Sequence, residues 1–228
     1  MTLSLEHLVM NLEAAGRRVE AARERGGRGQ AVQIVAATKY VAPPDMWVVR
    51  DAGIRVVGEN RTGELLEKRR LYGDAFEYHF IGHLQHRKAR DVLPYVNMVH
   101  SLDSMHLIEE IQSRATSPVD ALLQVSISGE ESKYGILPGD AEAFLERAAP
   151  YDAVRFCGFM TMAPLVRDPE EARPVFRGLR ELRERLAPIF VSRYTLSELS
   201  MGMSNDFEVA VEEGATLVRL GSTLFSHE

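Results

Sequence analysis

Lys39 ends the run "IVAATKY", where five apolar or small residues lead directly to an ammonium group. An amine so placed has two chemical uses. It can be a point charge for an anion, or a nucleophile that condenses with an aldehyde or ketone as a Schiff base. The apolar approach predicts partial desolvation of the ammonium, which raises the fraction of free amine. The ordinary alternative is a surface lysine opening a loop. Near the other end, "LSMGMSNDFEVAVEEGA" offers hydroxyls at Ser200 and Ser204, with Gly202 between them. Asn205 with Glu208 three residues later reads as a capping pair, and Gly214 as a helix stop. "VRLGSTLF" follows, and its Gly221, Ser222 and Thr223 can open a short terminal helix. Glycine and serine before a helix N-terminus make an anion site, although capping alone also explains them. Arg219 shares a strand face with Gly221. Its permanent charge makes it a donor to a ring nitrogen, which leaves a pyridine unprotonated and a weak electron sink.

Other candidates read more plainly. His79, His83 and His86 have helical spacing for metal ligands, but "YHFIG" alternates as a strand and Gly82 separates His79 from the other two. His79 is expected beside a ligand site, followed by a basic solvated helix, with no metal. Lys133 in "SGEESKYGI" reads equally as a second site lysine and as a solvated loop residue. Cys157, the only cysteine, reads as a small core residue. Trp47, Met160, Met162, Met201 and Met203 read by type as packing. "RERGGRG" is a charged loop with a weak likeness to nucleic-acid tails.

The elements that must position these residues alternate regularly. After an N-terminal helix ending at Gly26-Gly27, eight apolar stretches occur at 31–38, 54–60, 77–82, 96–102, 119–127, 154–160, 196–202 and 216–221. Helix-like segments separate them. This pattern predicts parallel strands joined by crossovers, closed as a single (β/α)8 barrel over residues 1–228. An open doubly wound sheet is the alternative. In a barrel the ends of strands one, two, seven and eight bring Lys39, Asn60, Ser200, Ser204 and Gly221 to one mouth. Loops after strands seven and eight are the recurrent phosphate site of that fold, so a phosphate-bearing aldehyde is the expected ligand.

Composition narrows the class. The chain has 228 residues, 45% hydrophobic and 26% charged, with a net charge of −6. That balance fits a globular protein and argues against a nucleic-acid partner. No apolar run approaches the roughly 18 residues of a membrane span, and the N-terminus lacks signal-peptide character. One cysteine allows no internal disulfide, which fits a reducing cytoplasm.

The ordered set "AATKY", "GENR", "YHFIGHLQHRKAR", "HSLDS", "SGEESKYGI", "GFMTMAP" and "LSMGMSNDFEVAVEEGATLVRLGSTLF" resembles the pyridoxal phosphate homeostasis proteins over nearly the whole chain. The resemblance implies a barrel like the N-terminal domain of alanine racemases and eukaryotic ornithine decarboxylases, with pyridoxal 5′-phosphate (PLP) bound as an internal aldimine. It implies that Lys39 is the Schiff-base lysine and that Arg219 faces the pyridine nitrogen. Ser200, Ser204, Gly221 and Ser222 match the phosphate cradle, and Asn60 lines the mouth. His79, Met160 and Met203 fall near the cofactor. The chain departs from the family in ending "LFSHE", where a glycine and a basic residue commonly follow the phenylalanine.

The implied role is a carrier of PLP in vitamin B6 homeostasis and amino-acid metabolism, with PLP-dependent apo-enzymes as partners. A racemase needs bases on both faces of its substrate carbon. Lys39 serves one face, no tyrosine or cysteine is evident for the other, and the chain ends without the second domain of the related enzymes. A monomer without robust turnover is therefore expected. A small PLP-dependent racemase or decarboxylase is the alternative, and a phosphate-binding barrel enzyme without PLP is a third reading.

Overall fold

In a computed structural model of the chain, residues 3–129 and 134–226 are described. The eight strands are β1 (Gln33–Ala37), β2 (Val56–Glu59), β3 (Glu77–Phe80), β4 (Met98–Leu102), β5 (Val119–Gln124), β6 (Val154–Met160), β7 (Glu198–Met203) and β8 (Leu217–Leu220). Each pairs in parallel with the next, and β1 pairs with β8 through Val35↔Arg219 and Ala36↔Leu220. That last pairing closes the barrel and removes the open-sheet alternative. Helices follow the strands: α2 (Met46–Asp51), α3 (Thr62–Tyr72), α4 (His86–Val92), α5 (Met105–Arg114), α6 (Ala141–Ala148), α7 (Arg173–Phe190), α8 (Phe207–Glu212) and α9 (Ser222–Phe225). The preceding α1 (Leu5–Gly26) packs on α8 and α9.

Strand alternation separates two apolar sets. Phe156, Phe159, Leu199 and Val218 face outward and meet the helices, among them Phe176, Leu179, Leu182 and Leu186 of α7. The three- and four-residue spacing of those α7 residues gives the helix a single buried stripe. Val35, Val56, Leu122, Met160 and Leu217 face inward and fill part of the barrel. On β1 the inward positions Val35 and Ala37 lead in phase to Lys39.

The strand register slips in three places, between β4 and β5, β5 and β6, and β7 and β8, and the last two involve glycines. Between β5 and β6 the register slips from Ala121↔Phe156 to Leu122↔Gly158, which inserts Cys157 as an extra residue. A Cβ on Gly158 would lie 1.9 Å from the Glu198 carbonyl oxygen, so only glycine fits there. Between β7 and β8 the register slips from Ser200↔Leu217 to Met203↔Arg219. Gly202 sits in that bulge with φ +89°, and a Cβ there would lie 2.6 Å from the Ala210 Cβ.

The charged "RERGGRG" segment is pinned to α8. Arg25 Nε contacts Glu212 at 2.7 Å and Arg28 Nε donates to the Glu212 carbonyl at 2.9 Å. Gly27, at φ +61°, caps α1 by donating to the carbonyls of Arg23 and Glu24.

Candidate functional site

The seam between β1 and β8 gathers the expected anion site and the expected amine. Gly221 follows β8, and a Cβ built on it would stand 3.7 Å from the Ala37 Cβ, two residues before Lys39. Ser204, carried up by the β7 bulge, reaches across the opening of α9. Its Oγ accepts the N–H of Gly221 at 3.1 Å and of Thr223 at 3.2 Å, while Thr223 Oγ1 donates to the Ser204 carbonyl. The serine hydrogen remains free to donate to an anion. Ser222 is exposed beside them. Asn205 and Glu208 do not form the expected capping pair. Asn205 Nδ2 instead donates to the Val166 carbonyl. The side chain that shapes this loop is Asp206, whose Oδ1 accepts the Met203 N–H at 2.6 Å.

Lys39 departs from expectation in its environment. The strand ends at Ala37, the chain turns, and Lys39 is exposed rather than desolvated. Its Nζ lies over the Tyr40 ring, 4.7 Å from the centroid. Asn60, at the end of β2, faces Gly82 so closely that a Cβ on the glycine would meet the Asn60 carbonyl oxygen at 2.6 Å. Its Oδ1 is buried without a partner. A buried acceptor left open beside a strand end is a position where a ligand donor would be welcome.

Below this rim the barrel interior holds a continuous polar chain. Arg219 is 5% exposed, and it points inward rather than toward the helices because it is in phase with Leu217 and paired with Val35, both of the interior set. Its Nη1 donates to Ser200 Oγ at 2.5 Å and its Nη2 to the Thr161 carbonyl at 2.9 Å. Ser200 Oγ is 2.9 Å from His100 Nδ1, His100 Nε2 is 2.9 Å from His79 Nδ1, and His79 Nε2 is 3.0 Å from Glu77 Oε1. Arginine only donates and a carboxylate only accepts. With both rings neutral, one arrangement satisfies every partner: Ser200 O–H donates to His100, His100 Nε2–H to His79, and His79 Nε2–H to Glu77. Burial, followed by the neighbouring His79 ring and the Arg219 cation, holds His100 well below the ordinary histidine pKa. Burial pushes Arg219 down to about 10, partly opposed by Asp206, so its guanidinium stays charged at neutral pH. Glu77 is held below the usual carboxylate range, chiefly by its hydrogen bond to His79.

Ser200 is thereby drawn away from the cradle. It is fully buried and bonded to Arg219 and His100, whereas Ser204 and Gly221 meet at α9. The register of Ser200 beside the inward Met160 turns its hydroxyl to the barrel interior. His79 likewise sits inside the barrel, 2% exposed, rather than on the rim. Met160 packs in the interior apolar set, and Met203 is half-buried in the β7 bulge. The three spaced histidines part company. His83 stacks on Tyr134 with ring centroids 3.7 Å apart, and His86 meets His106 edge-on at 4.4 Å. Cys157 is half-buried, and burial pushes its thiol up to about 11, so it is a poor nucleophile. Lys133 lies outside the described residues.

Several site residues escaped the sequence reading. His100 had a usable signal, a polar residue at an inward position of "VNMVHSL" on the strand beside His79. Glu59 and Lys68 had less: one precedes Asn60, and the other sits nine residues further along, on α3. They meet as a buried ion pair, Lys68 Nζ to Glu59 Oε1 at 2.7 Å.

Residues 8–228 match the family model described as alanine racemase, N-terminal domain. The chain is 42% identical over 213 residues to the pyridoxal phosphate homeostasis protein of Aquifex aeolicus, covering 91% of this chain and 92% of that protein. It is 37% identical over 232 residues to the protein of the same name in Homo sapiens, covering 94% and 84%. The chain belongs to the pyridoxal phosphate homeostasis protein family. A solved relative, PipY of Synechococcus elongatus with PLP bound, is 32% identical with a TM-score of 0.79, covering 90% of this chain and 100% of that one. Alanine racemase of Clostridium difficile is 14% identical with a TM-score of 0.75, covering 99% of this chain and 58% of the other; that likeness concerns the fold alone. Among the described residues no helix is long and apolar enough to cross a membrane.

Proposed function

We propose that this barrel holds PLP reversibly at its mouth through Lys39 and serves vitamin B6 homeostasis by storing the cofactor and releasing it to apo-enzymes. The observation that carries the reading is the β1–β8 seam. Gly221 and the Ser204 hydroxyl lie beside Ala37, two residues before the exposed Lys39 amine, with the Arg219 cation on the inward face below. The donor set fits the group. Hydroxyl and backbone N–H donors suit a phosphate, an amine suits an aldehyde, and a fixed guanidinium suits a ring nitrogen. The unpartnered Asn60 Oδ1 leaves an acceptor for a further hydroxyl. When bound, PLP supplies an aldehyde for reversible bonding and a ring able to accept electrons. Lys39 presents the amine at the rim, and Ser204 and Gly221 orient the phosphate end. Arg219 keeps its proton, because Ser200 and Thr161 hold it as a donor and burial lowers it only to about 10. A ring nitrogen facing such a donor stays unprotonated, which favours storage over carbanion turnover.

The absorbance spectrum before and after borohydride, followed by peptide mapping, tests this. A visible band lost on reduction, with the added mass on Lys39, is expected, as is a colourless Lys39→Ala variant. A protein that stays colourless with PLP would refute the reading. Robust Lys39-dependent isotope exchange at Cα of amino acids would refute the storage role.

A further inference from the structure

Lys68 is among the largest fully buried side chains of the protein, an unusual fate for a lysine. Its Nζ donates to Glu59 Oε1 and to the Thr38 carbonyl, each at 2.7 Å. Thr38 Oγ1 donates to that same Glu59 oxygen. The Thr38 N–H donates to the Gly58 carbonyl at 3.1 Å, and its carbonyl also accepts the Val41 N–H at 2.9 Å. Every polar atom of Thr38 is thus engaged by β2, α3 or the turn after β1. Thr38 immediately precedes Lys39, and Glu59 immediately precedes Asn60.

Stability alone does not account for this arrangement. A buried ion pair loses its hydration, and apolar residues of similar volume commonly serve a core as well or better. The pair is also incompletely satisfied, since Glu59 Oε2 has no partner. What the pair does accomplish is local. It clamps the peptide group that leads into Lys39 between α3 and β2, directly behind the mouth. Lys39 itself is exposed, so an accessible side chain projects from a stem held by hydrogen bonds.

We propose that Lys68 and Glu59 are positioning residues for Lys39, holding the Thr38 carbonyl so that the amine is aimed over the mouth. The proposal rests on the reading of Lys39 as the PLP-holding amine. Its consequence is that removing the clamp harms cofactor retention even where stability is restored.

The test uses Lys68→Met and the double variant Lys68→Met/Glu59→Leu. Thermal unfolding without cofactor, PLP affinity by absorbance, and acetylation of Lys39 by trace acetic anhydride in unloaded protein are measured. Lys68→Met strands the Glu59 charge and is expected to lower both the unfolding temperature and the affinity. The double variant removes both charges and is expected to recover the temperature. It should still bind PLP about tenfold more weakly, the equivalent of losing one well-placed interaction, with an altered Lys39 acetylation rate. A double variant that recovers stability and matches wild type in affinity and acetylation overturns the proposal. Thr38→Val, nearly isosteric, guards against a double variant that does not fold. It removes the hydroxyl link by which Glu59 holds Thr38 directly, and unchanged affinity and acetylation there overturn the role given to Glu59. Failure of the wild type to take up PLP would instead strike the functional reading. Acetylation in the unloaded protein reads the positioning separately.

Discussion

His100→Gln tests the direction assigned to the interior hydrogen-bond chain. The amide keeps one acceptor for the Ser200 hydroxyl and one donor for His79 Nδ1, but it cannot take up a proton. In the wild type, burial keeps His100 neutral in the folded state well below the ordinary value of 6.5, while the unfolded chain protonates normally. The sign follows from proton binding. Below pH 6.5 the unfolded state holds more protons than the folded one, so this residue's contribution is complete above pH 6.5 and is lost as pH falls. The slope is about 1.4 kcal/mol per pH unit, which amounts to about 2 kcal/mol between pH 6.5 and pH 5. The groups facing His100 are His79, Ser200 and Arg219, with Glu77 beyond His79, and all are retained in the variant. Urea unfolding of cofactor-free protein at intervals from pH 7.5 to pH 5 gives both profiles, and their difference cancels the other titrating groups. The wild type should lose about 2 kcal/mol more than the variant across that range. Profiles parallel to within about 0.5 kcal/mol would mean that His100 is not held neutral, and the assigned direction would fall with it.

Two further outcomes follow from the mouth and its supporting bulges. Ser204→Ala removes the acceptor shared by the Gly221 and Thr223 N–H groups together with a hydroxyl donor. PLP affinity measured by absorbance should drop about tenfold, and inorganic phosphate should compete less well. Gly158→Ala drives a Cβ to 1.9 Å from backbone at Glu198, where no flexible side chain can yield. A loss of about 4 kcal/mol or more in urea unfolding, or failure to accumulate as soluble protein, is expected. Gly139→Ala, whose Cβ meets nothing within 4 Å, should stay within about 0.5 kcal/mol of wild type as a control.

The barrel was legible in the sequence because each strand is a short apolar run between helical segments, and each observed strand overlaps its expected stretch. β1–β8 closure was the one part that alternation could not specify, since it depends on pairing between the ends of the chain. The places of Lys39, Ser204 and Gly221 were legible for a related reason: each follows a strand, β1, β7 and β8 in turn, and barrel geometry sends such positions to one end. The partners of Ser200 were not legible, because they depend on its inward phase rather than on its residue type. The β7 bulge separates it from Ser204, and a slip at Gly202 leaves no mark in hydrophobic periodicity. Lys68 was invisible because its α3 environment looks solvated, with Glu67, Arg69 and Arg70 around it in sequence. Only the tertiary approach of Glu59 and Thr38 makes that position an interior one.

The two buried networks divide the mouth into a fixed part and a free part. One part of the interior is apolar, with Val35, Val56, Leu122, Met160 and Leu217, as expected where the only need is to fill space. Beside it, carried by β3, β4, β7 and β8, lie His79, His100, Ser200 and Arg219, a set that costs desolvation and would not be chosen for stability. Its physical product is a cation whose direction is set from below by a chain of matched donors and acceptors. The Lys68–Glu59 clamp similarly fixes the stem of Lys39, yet the amine beyond it is exposed and lies over the solvent-facing Tyr40 ring. A site meant to sequester a reacting centre would enclose that amine, because excluded water strengthens every charge interaction there. A site meant to hold an aldehyde and give it up needs the opposite: firm contacts on the remote ends of the ligand and a covalent anchor that competing amines can reach. The exposed amine on a rigid stem, above a rigid cation, matches the second requirement.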